Sequence, residues 1–118
     1  MNFEVKIEKT EVLLTWLKYL RRRLHEDIIG AELMWYDSVI HNGDLKWQSA
    51  LNEKNWQFLE VCDSFFTDYH WQLQNLEVTL NTFVDKFPDR NTFDVYIGND
   101  CYGRGTYGGG KYDVYKAL

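Results

Sequence analysis

One segment in the first half of the chain combines aromatic and hydrogen-bonding side chains in the manner of a carbohydrate site. Within residues 30–48, an apolar run gives way to Trp35-Tyr36-Asp37, and Trp47 follows in a polar stretch. Sugar rings stack their C–H faces on aromatic rings, whereas their hydroxyl and amide groups need hydrogen-bonding partners. The segment therefore indicates a sugar-binding site. Ordinary packing of aromatic side chains in a small core remains an open alternative.

Further polar and aromatic residues recur along the chain at nearly constant spacing. Glu4, Tyr36, Tyr69 and Asp100 are separated by 32, 33 and 31 residues. That spacing is the length of one βα unit with short loops. Asn2 precedes Glu4 by two positions, so both side chains would lie on one face of a strand. Taken alone, Asn2-Phe3-Glu4 is also compatible with a polar chain start that has no function.

The elements that must position these residues alternate between strands and helices. Apolar runs predict strands near residues 1–5, 32–38, 64–68 and 93–98, and helical spacing of leucines and phenylalanines predicts helices near 9–26, 50–61 and 72–86. The glycine-rich segment 103–110 is predicted to be a loop. Apolar strands joined by amphipathic helices indicate an α/β fold with a parallel sheet.

The predicted fold class is a partial (β/α)8 TIM barrel with about four βα units and parallel strands. Functional residues of such barrels lie at the C-terminal ends of the strands, where the four recurring residues fall. A doubly wound sheet would give the same alternation of strands and helices and stays open as an alternative. The sequence has no Gly-x-Gly-x-x-Gly motif or P-loop after a strand, which disfavours a nucleotide-binding version of that fold.

Composition narrows the classes of partner. At 118 residues the chain forms one domain at most, and its net charge of −5 argues against non-specific nucleic-acid binding. We expect no membrane contact, because no segment approaches the roughly 18 apolar residues of a span. The polar N-terminus does not resemble a signal peptide, so the sequence predicts a soluble cytosolic protein.

Cysteine and histidine spacing gives no indication of a metal or cofactor. Cys62 and Cys101 form no CxxC pair, which is typical of a reduced intracellular protein. His25, His41 and His70 lack ligand spacing relative to one another or to carboxylates. The prediction is that the protein needs no metal and no cofactor.

Several stretches resemble, in the same order, segments of glycoside hydrolase family 85, the cytosolic endo-β-N-acetylglucosaminidases. They are Asn2-Phe-Glu4, the Trp-Tyr-Asp-Ser-Val and Leu-Lys-Trp-Gln stretches of the segment at 30–48, Leu51-Asn-Glu-Lys-Asn55, Phe65-Phe-Thr-Asp-Tyr-His-Trp71, and residues 94–105. The similarity covers nearly the whole chain. Residues 1–118 are accordingly identified as part of a family 85 catalytic domain.

The resemblance implies substrate-assisted retaining hydrolysis, in which the acetamido oxygen of the substrate is the nucleophile. Glu4 matches the catalytic acid of the family and would protonate the leaving glycosidic oxygen. Asn2 would orient and polarise the acetamide, and Tyr36 matches a tyrosine that helps to position it. Asp37, next to Tyr36, is expected to point to the opposite face of its strand.

The resemblance also implies a set of substrate-binding residues, each with packing or inter-strand bonding as its alternative: Trp47, Tyr69, Trp71 and Asp100. The implied function is mannosyl-glycoprotein endo-β-N-acetylglucosaminidase, which hydrolyses the GlcNAc-β-1,4-GlcNAc chitobiose core of N-glycans. The expected substrate is an N-glycan or a free oligosaccharide, and the rest of the barrel is expected from sequence outside this chain. The alternative is a truncated, non-catalytic relative that acts as a glycan-binding or interaction module.

Overall fold

The computed structural model of the protein describes residues 7–102, 105–107 and 113–118. The strand predicted near 1–5, with Asn2 and Glu4, lies outside the described residues. Most of the glycine-rich segment predicted as a loop also lies outside them.

Helices and strands alternate along the described chain. In order they are α1 (Ile7–Asp27), β1 (Met34–Tyr36), α2 (Trp56–Val61), β2 (Ser64–Phe66), α3 (Leu73–Lys86) and β3 (Val95–Tyr96), with short 3₁₀ helices at Thr92–Asp94 and Asp113–Ala117. The strands are shorter than the apolar runs that predicted them. In the described residues the predicted alternation of strands and helices is confirmed. The elements begin and end at other residues than predicted.

The largest difference is at α2, which begins at Trp56 instead of near residue 50. Asn55 explains the late start, because its side chain bonds main-chain groups of the preceding loop. Its amide donates to the Ala50 carbonyl oxygen at 2.8 Å, and its side-chain oxygen accepts from the Asn52 N–H at 2.8 Å. A residue that bonds its own loop in this way favours a turn over a helix interior.

The three strands form one parallel sheet in the order β1-β2-β3. In the register, Trp35 lies opposite Phe65, and Phe65 lies opposite Val95. The prediction that the strands are parallel is confirmed. The described residues hold three of the four predicted strands, and the fourth, near residues 1–5, lies outside them. The α/β class with a parallel sheet is confirmed, whereas the partial TIM barrel stays a prediction, because three strands do not close into a barrel.

One face of the sheet carries the hydrophobic core. Trp35, Phe65 and Val95 point to this face and pack against buried residues of the helices and the loops next to them: Leu17, Leu51, Phe58, Leu59, Phe83 and Phe87. Trp35 stacks on Phe58 with ring centroids 4.4 Å apart and planes 5° from parallel. The helices thus cover one side of the sheet and fix the strand ends relative to one another.

The opposite face of the sheet is only partly covered. Alternation places Met34, Phe66 and Tyr96 on it, and Met34 and Tyr96 are each 44% exposed. A doubly wound sheet has helices on both faces. The described part of the chain therefore does not support that alternative.

The N-terminal end of β2 is anchored by Asp63, the residue before the strand. Its carboxylate accepts hydrogen bonds from Arg21 Nε at 2.7 Å and the Leu33 N–H at 2.8 Å, and it lies 2.9 Å from His25 Nε2. Burial alone would raise the pKa of Asp63, but these hydrogen bonds and the Arg21 charge hold it below its usual value. The ionised carboxylate therefore joins α1 to the start of the sheet.

Candidate functional site

An open cleft of about 540 Å³ lies at the C-terminal ends of β1 and β2. Its walls come from the last residue of β1, the loop after β1 and the three residues at 68–70: Tyr36, Trp47, Ser49, Asp68, Tyr69 and His70. This is the edge of the sheet where parallel α/β folds place their ligands. The structure therefore brings Tyr36, Trp47 and Tyr69, predicted from the sequence, to one cleft.

Tyr36 forms the floor beside β2, with its ring 5.9 Å from that of Phe66. Burial raises the pKa of the Tyr36 phenol, and the nearby carboxylate of Asp68 raises it further. A hydrogen bond with Trp47 lowers the pKa but does not cancel the rise. The phenol therefore keeps its proton at neutral pH. It can donate a hydrogen bond to a ligand in the cleft.

A small hairpin after β1 returns the chain to the cleft. The Lys46 N–H donates to the Ser38 carbonyl oxygen at 2.7 Å, and Val39 and Leu45 form an antiparallel bridge. Trp47 follows at the cleft wall with 43% of its surface exposed. An aromatic face that is half open at a polar cleft can stack on a sugar ring.

Asp37 fixes the part of this loop that carries Trp47. The Asp37 N–H continues the pairing of β1 by donating to the Phe66 carbonyl oxygen at 2.8 Å, so its side chain turns away from that of Tyr36. Its carboxylate is 0% exposed and accepts from the N–H groups of Gln48 at 2.9 Å and Ser49 at 2.7 Å. The Asn55 amide donates to its other oxygen at 3.2 Å.

Burial raises the pKa of Asp37 to about 6, although its three hydrogen bonds oppose the rise. The carboxylate of Asp68 also raises it. Near pH 7 Asp37 is therefore mostly ionised. In that state it offers acceptor oxygens to all three donors.

Ser49 links the loop after β1 to the end of β2. Its φ of 53° is the left-handed conformation, which is uncommon for residues other than glycine. Its hydroxyl donates to Asp68 Oδ1 at 2.9 Å. Asp68 also accepts from the His70 N–H at 2.6 Å and lies 2.9 Å from His70 Nδ1. Two carboxylates, Asp37 and Asp68, thus hold Ser49 from two neighbouring strands.

Tyr69 and His70 complete the cleft wall on the β2 side. Their rings lie 4.6 Å apart at an angle of 37°. The His70 side chain is 57% exposed, whereas that of Asp68 is 7% exposed. Asp68 therefore acts as a buried support that orients an accessible imidazole.

Two of the residues predicted from the sequence lie away from these walls. Trp71 is 3% exposed, donates its indole N–H to the Gly98 carbonyl oxygen at 2.5 Å and stacks on Tyr107 at 4.9 Å. These contacts correspond to the packing alternative for Trp71. Asp100 lies in the turn after β3, where its carboxylate accepts from the Tyr102 N–H at 2.9 Å.

Asn2 and Glu4 lie outside the described residues, so their place at the cleft stays a prediction. Sequence reasoning missed Ser49 and His70 as cleft residues. The loop 47–49 reaches the cleft through hydrogen bonds to Asp37 and Asp68, which no periodicity in the sequence indicates. The adjacency of His70 to Tyr69 was the available signal, since both follow the same strand.

Metal binding and membrane spanning can be assessed for the described residues only. They contain no group of three or more His, Cys, Asp or Glu side chains placed to hold a metal ion. Among the helices seen in the structure, none is long and apolar enough to cross a membrane.

Comparison with known proteins relates the whole chain to one family. The sequence model described as glycosyl hydrolase family 85 matches residues 1–118. The protein named cytosolic endo-beta-N-acetylglucosaminidase of Danio rerio is 39% identical over 120 residues, which cover 100% of this chain and 16% of that protein. The protein of the same name from Homo sapiens is 41% identical over 103 residues, with 87% and 13% covered. The chain thus spans about a sixth or less of the length of these relatives.

A solved structure supports the fold independently of these sequences. The glycoside hydrolase domain of Endo-D from Streptococcus pneumoniae R6 superposes on the chain with a TM-score of 0.71. The match covers 87% of this chain and 17% of that domain's chain, at 23% identity. The arrangement of helices and strands is therefore similar in the two proteins.

Proposed function

Because the chain belongs to glycosyl hydrolase family 85, we propose that it is part of the catalytic domain of an endo-β-N-acetylglucosaminidase. The reaction is hydrolysis of the GlcNAc-β-1,4-GlcNAc chitobiose core of N-glycans. The substrate is an N-glycan on a protein or a free oligosaccharide. The names of the relatives support this activity and a cytosolic location for the whole protein.

The observation that carries the proposal is the cleft at the ends of β1 and β2. Tyr36, Trp47 and Tyr69 supply aromatic surface to it, and Tyr36 also supplies a protonated phenol. A 2-acetamido sugar presents C–H faces to stack and an amide oxygen to bind, which matches these groups. The Tyr36 phenol is suited to donate to the acetamide oxygen of the substrate.

The proposed mechanism uses the substrate's own nucleophile. The acetamido oxygen attacks the anomeric carbon and the glycosidic C–O bond breaks, while Glu4 gives its proton to the leaving oxygen. The resulting oxazoline-type intermediate is opened by water, whose proton returns to Glu4. Asn2 holds the acetamide in position to attack. Proximity of this kind can supply much of the rate acceleration.

The three strands fit one wall of a larger (β/α)8 barrel, with the remaining strands contributed by the rest of the polypeptide. Two features support this architecture: the consecutive parallel order β1-β2-β3 and the placement of the helices on one face. The partly open face with Met34 and Tyr96 would then point to the barrel interior. Closure of the barrel would exclude water from the cleft.

The test uses the full-length protein that contains this chain and a glycoprotein substrate. Glu4→Gln should abolish release of N-glycans, because an amide cannot donate the proton that the leaving oxygen needs. Asn2→Ala should lower turnover severely, since the acetamide would lose its orienting partner. Glu60→Gln is the matched control on the exposed side of α2 and should leave turnover unchanged. Normal hydrolysis by the Glu4→Gln variant would remove Glu4 from the mechanism.

The 118-residue chain alone should show little or no turnover, because its cleft would stay open to water. Glycan binding without hydrolysis by the full-length protein would favour the alternative of a non-catalytic binding module. Turnover by the isolated chain that is abolished by Glu4→Gln would contradict the need for the rest of the barrel. It would still support Glu4 as the acid.

A further inference from the structure

We propose that Asp37 is a positioning residue for the substrate, which acts by holding the loop residue Trp47 at the cleft wall. The inference rests on the proposed function, since it assigns Trp47 to contact with the glycan. Asp37 does not line the cleft and is 0% exposed, so it cannot touch the substrate itself. Its effect must pass through the loop.

The contacts of Asp37 lie immediately after Trp47 in the chain. One carboxylate oxygen, Oδ2, accepts from the N–H groups of both Gln48 and Ser49, at 2.9 and 2.7 Å. Two consecutive main-chain donors on one oxygen fix the direction of the backbone at that point. The Trp47 side chain leaves the backbone one residue earlier, so its orientation depends on this clamp in addition to its hydrogen bond with Tyr36.

The same carboxylate joins the loop to α2. Oδ1 accepts from the Asn55 amide at 3.2 Å, and Asn55 also bonds the Ala50 carbonyl oxygen and the Asn52 N–H. Both ends of residues 48–55 are therefore held by one pair of buried polar side chains. Charge-assisted hydrogen bonds from a carboxylate are stronger than those between neutral groups.

A carboxylate is the side chain that this site requires. The three groups facing Asp37 are all N–H donors, and an ionised carboxylate has acceptors alone. An asparagine would keep one acceptor oxygen and turn its own NH2 group toward at least one donor. Because the site is buried, that mismatch could not be relieved by water.

A second support for the loop comes from β2. Ser49, in its left-handed conformation, donates to the Asp68 carboxylate, which also contacts the imidazole of His70. Strained backbone of this kind persists where the surrounding contacts fix it, and such sites are frequent in ligand clamps. The Trp47 loop is thus attached to both strand ends that frame the cleft.

The experiment compares Asp37→Asn, Trp47→Ala and the double variant in the full-length protein, with an N-glycan substrate. Trp47→Ala should raise KM on the order of tenfold, because the sugar loses an aromatic surface. Asp37→Asn should raise KM several-fold with a smaller change in kcat. The double variant should resemble Trp47→Ala within about twofold, because both changes remove the same contact.

Asp63→Asn is the matched control. Asp63 also holds three groups by its carboxylate, but it lies at the opposite end of β2. The control should lower stability without raising KM. Independent, multiplying effects of Asp37→Asn and Trp47→Ala on KM would overturn the proposal, as would an unchanged KM in a folded Asp37→Asn protein.

Hydrogen exchange of the unmodified protein supplies a test that does not depend on the folding of a variant. The amides of Gln48 and Ser49 should be protected to a degree similar to those of β2, because both donate to a buried carboxylate. Exchange at the rate of an exposed loop would overturn the clamp. Absence of glycan hydrolysis and binding in the unmodified protein would refute the proposed function instead, and the exchange result would still decide the clamp.

Discussion

Replacing Asp37 by asparagine should change how the stability of the protein depends on pH. Burial raises the pKa of the Asp37 carboxyl from 3.8 to about 6. Between these values the folded protein binds a proton that the unfolded chain has released. Stability therefore falls as the pH rises through this window, because the folded state must either hold the proton or bury a charge.

The magnitude follows from the size of that rise. A change from 3.8 to about 6 is close to two pH units, and each unit corresponds to about 1.4 kcal/mol. The loss of stability that comes with ionising Asp37 thus reaches about 3 kcal/mol by pH 7 and is less than about 1 kcal/mol at pH 4. An asparagine does not titrate. The free energy of unfolding of Asp37→Asn, relative to that of the unmodified protein, should therefore increase by about 2–3 kcal/mol from pH 4 to pH 7.

The measurement is urea unfolding of both full-length proteins between pH 4 and 7.5. Unfolding is monitored by hydrogen exchange in peptides from residues 1–118. The lost hydrogen bonds of the variant add an offset that does not depend on pH. Asp63 has a lowered pKa and acts with the opposite sign, since its stabilisation is lost as the pH falls, but it is present in both proteins and cancels. A difference that stays constant with pH would refute the argument from burial.

Three further substitutions and one control test the packing that supports the cleft, each by the same unfolding measurement. Gly98→Ala should destabilise by about 2 kcal/mol or more, because the added Cβ would overlap the Thr67 carbonyl oxygen. Phe58→Ala should cost about 3–5 kcal/mol, since Phe58 is 0% exposed, whereas Val12→Ala, at a side chain 65% exposed, should change stability by less than about 0.5 kcal/mol. Arg90→Met should cost about 2–3 kcal/mol, because the guanidinium donates to three main-chain oxygens at the end of α2. Equal stability of the Gly98→Ala, Phe58→Ala or Arg90→Met variant and the unmodified protein would contradict the contact assigned to that residue.

The alternation of strands and helices could be predicted because it depends on local periodicity. The stripe of leucines in α1 and the apolar run at β2 are patterns that a few consecutive residues carry. The ends of elements were less predictable. At α2 the side chain of Asn55 bonds its own loop, and at β3 the Asn91 side chain accepts from the Phe93 N–H at 3.0 Å and starts a 3₁₀ turn. Both effects depend on individual hydrogen bonds that periodicity does not record.

The candidate site was predictable where it follows the strands. Tyr36 ends β1 and Tyr69 follows the end of β2 by three residues, so both lie at the same edge of the sheet, although the register pairs Tyr36 with Phe66. Trp47 lies in a loop, and its approach to the cleft depends on Asp37, Ser49 and pairings between residues distant in sequence. The spacing of these partner residues in the sequence does not indicate that they contact one another. The sequence therefore indicated several residues that line the cleft. It did not indicate the residues whose hydrogen bonds hold them there.

The alternation of a strand explains how three consecutive residues serve three different structural roles. Trp35 points to the helices and stacks on Phe58, Tyr36 points to the cleft, and Asp37 turns away again to hold the loop of Trp47. Because these side chains share one short stretch of backbone, a shift of Trp35 in the core would move Tyr36 and Asp37 together. Core packing at Phe58 is thus coupled to the geometry of the cleft through a single strand. In an active full-length protein, a conservative change such as Phe58→Leu should therefore raise KM for the glycan as well as lower stability.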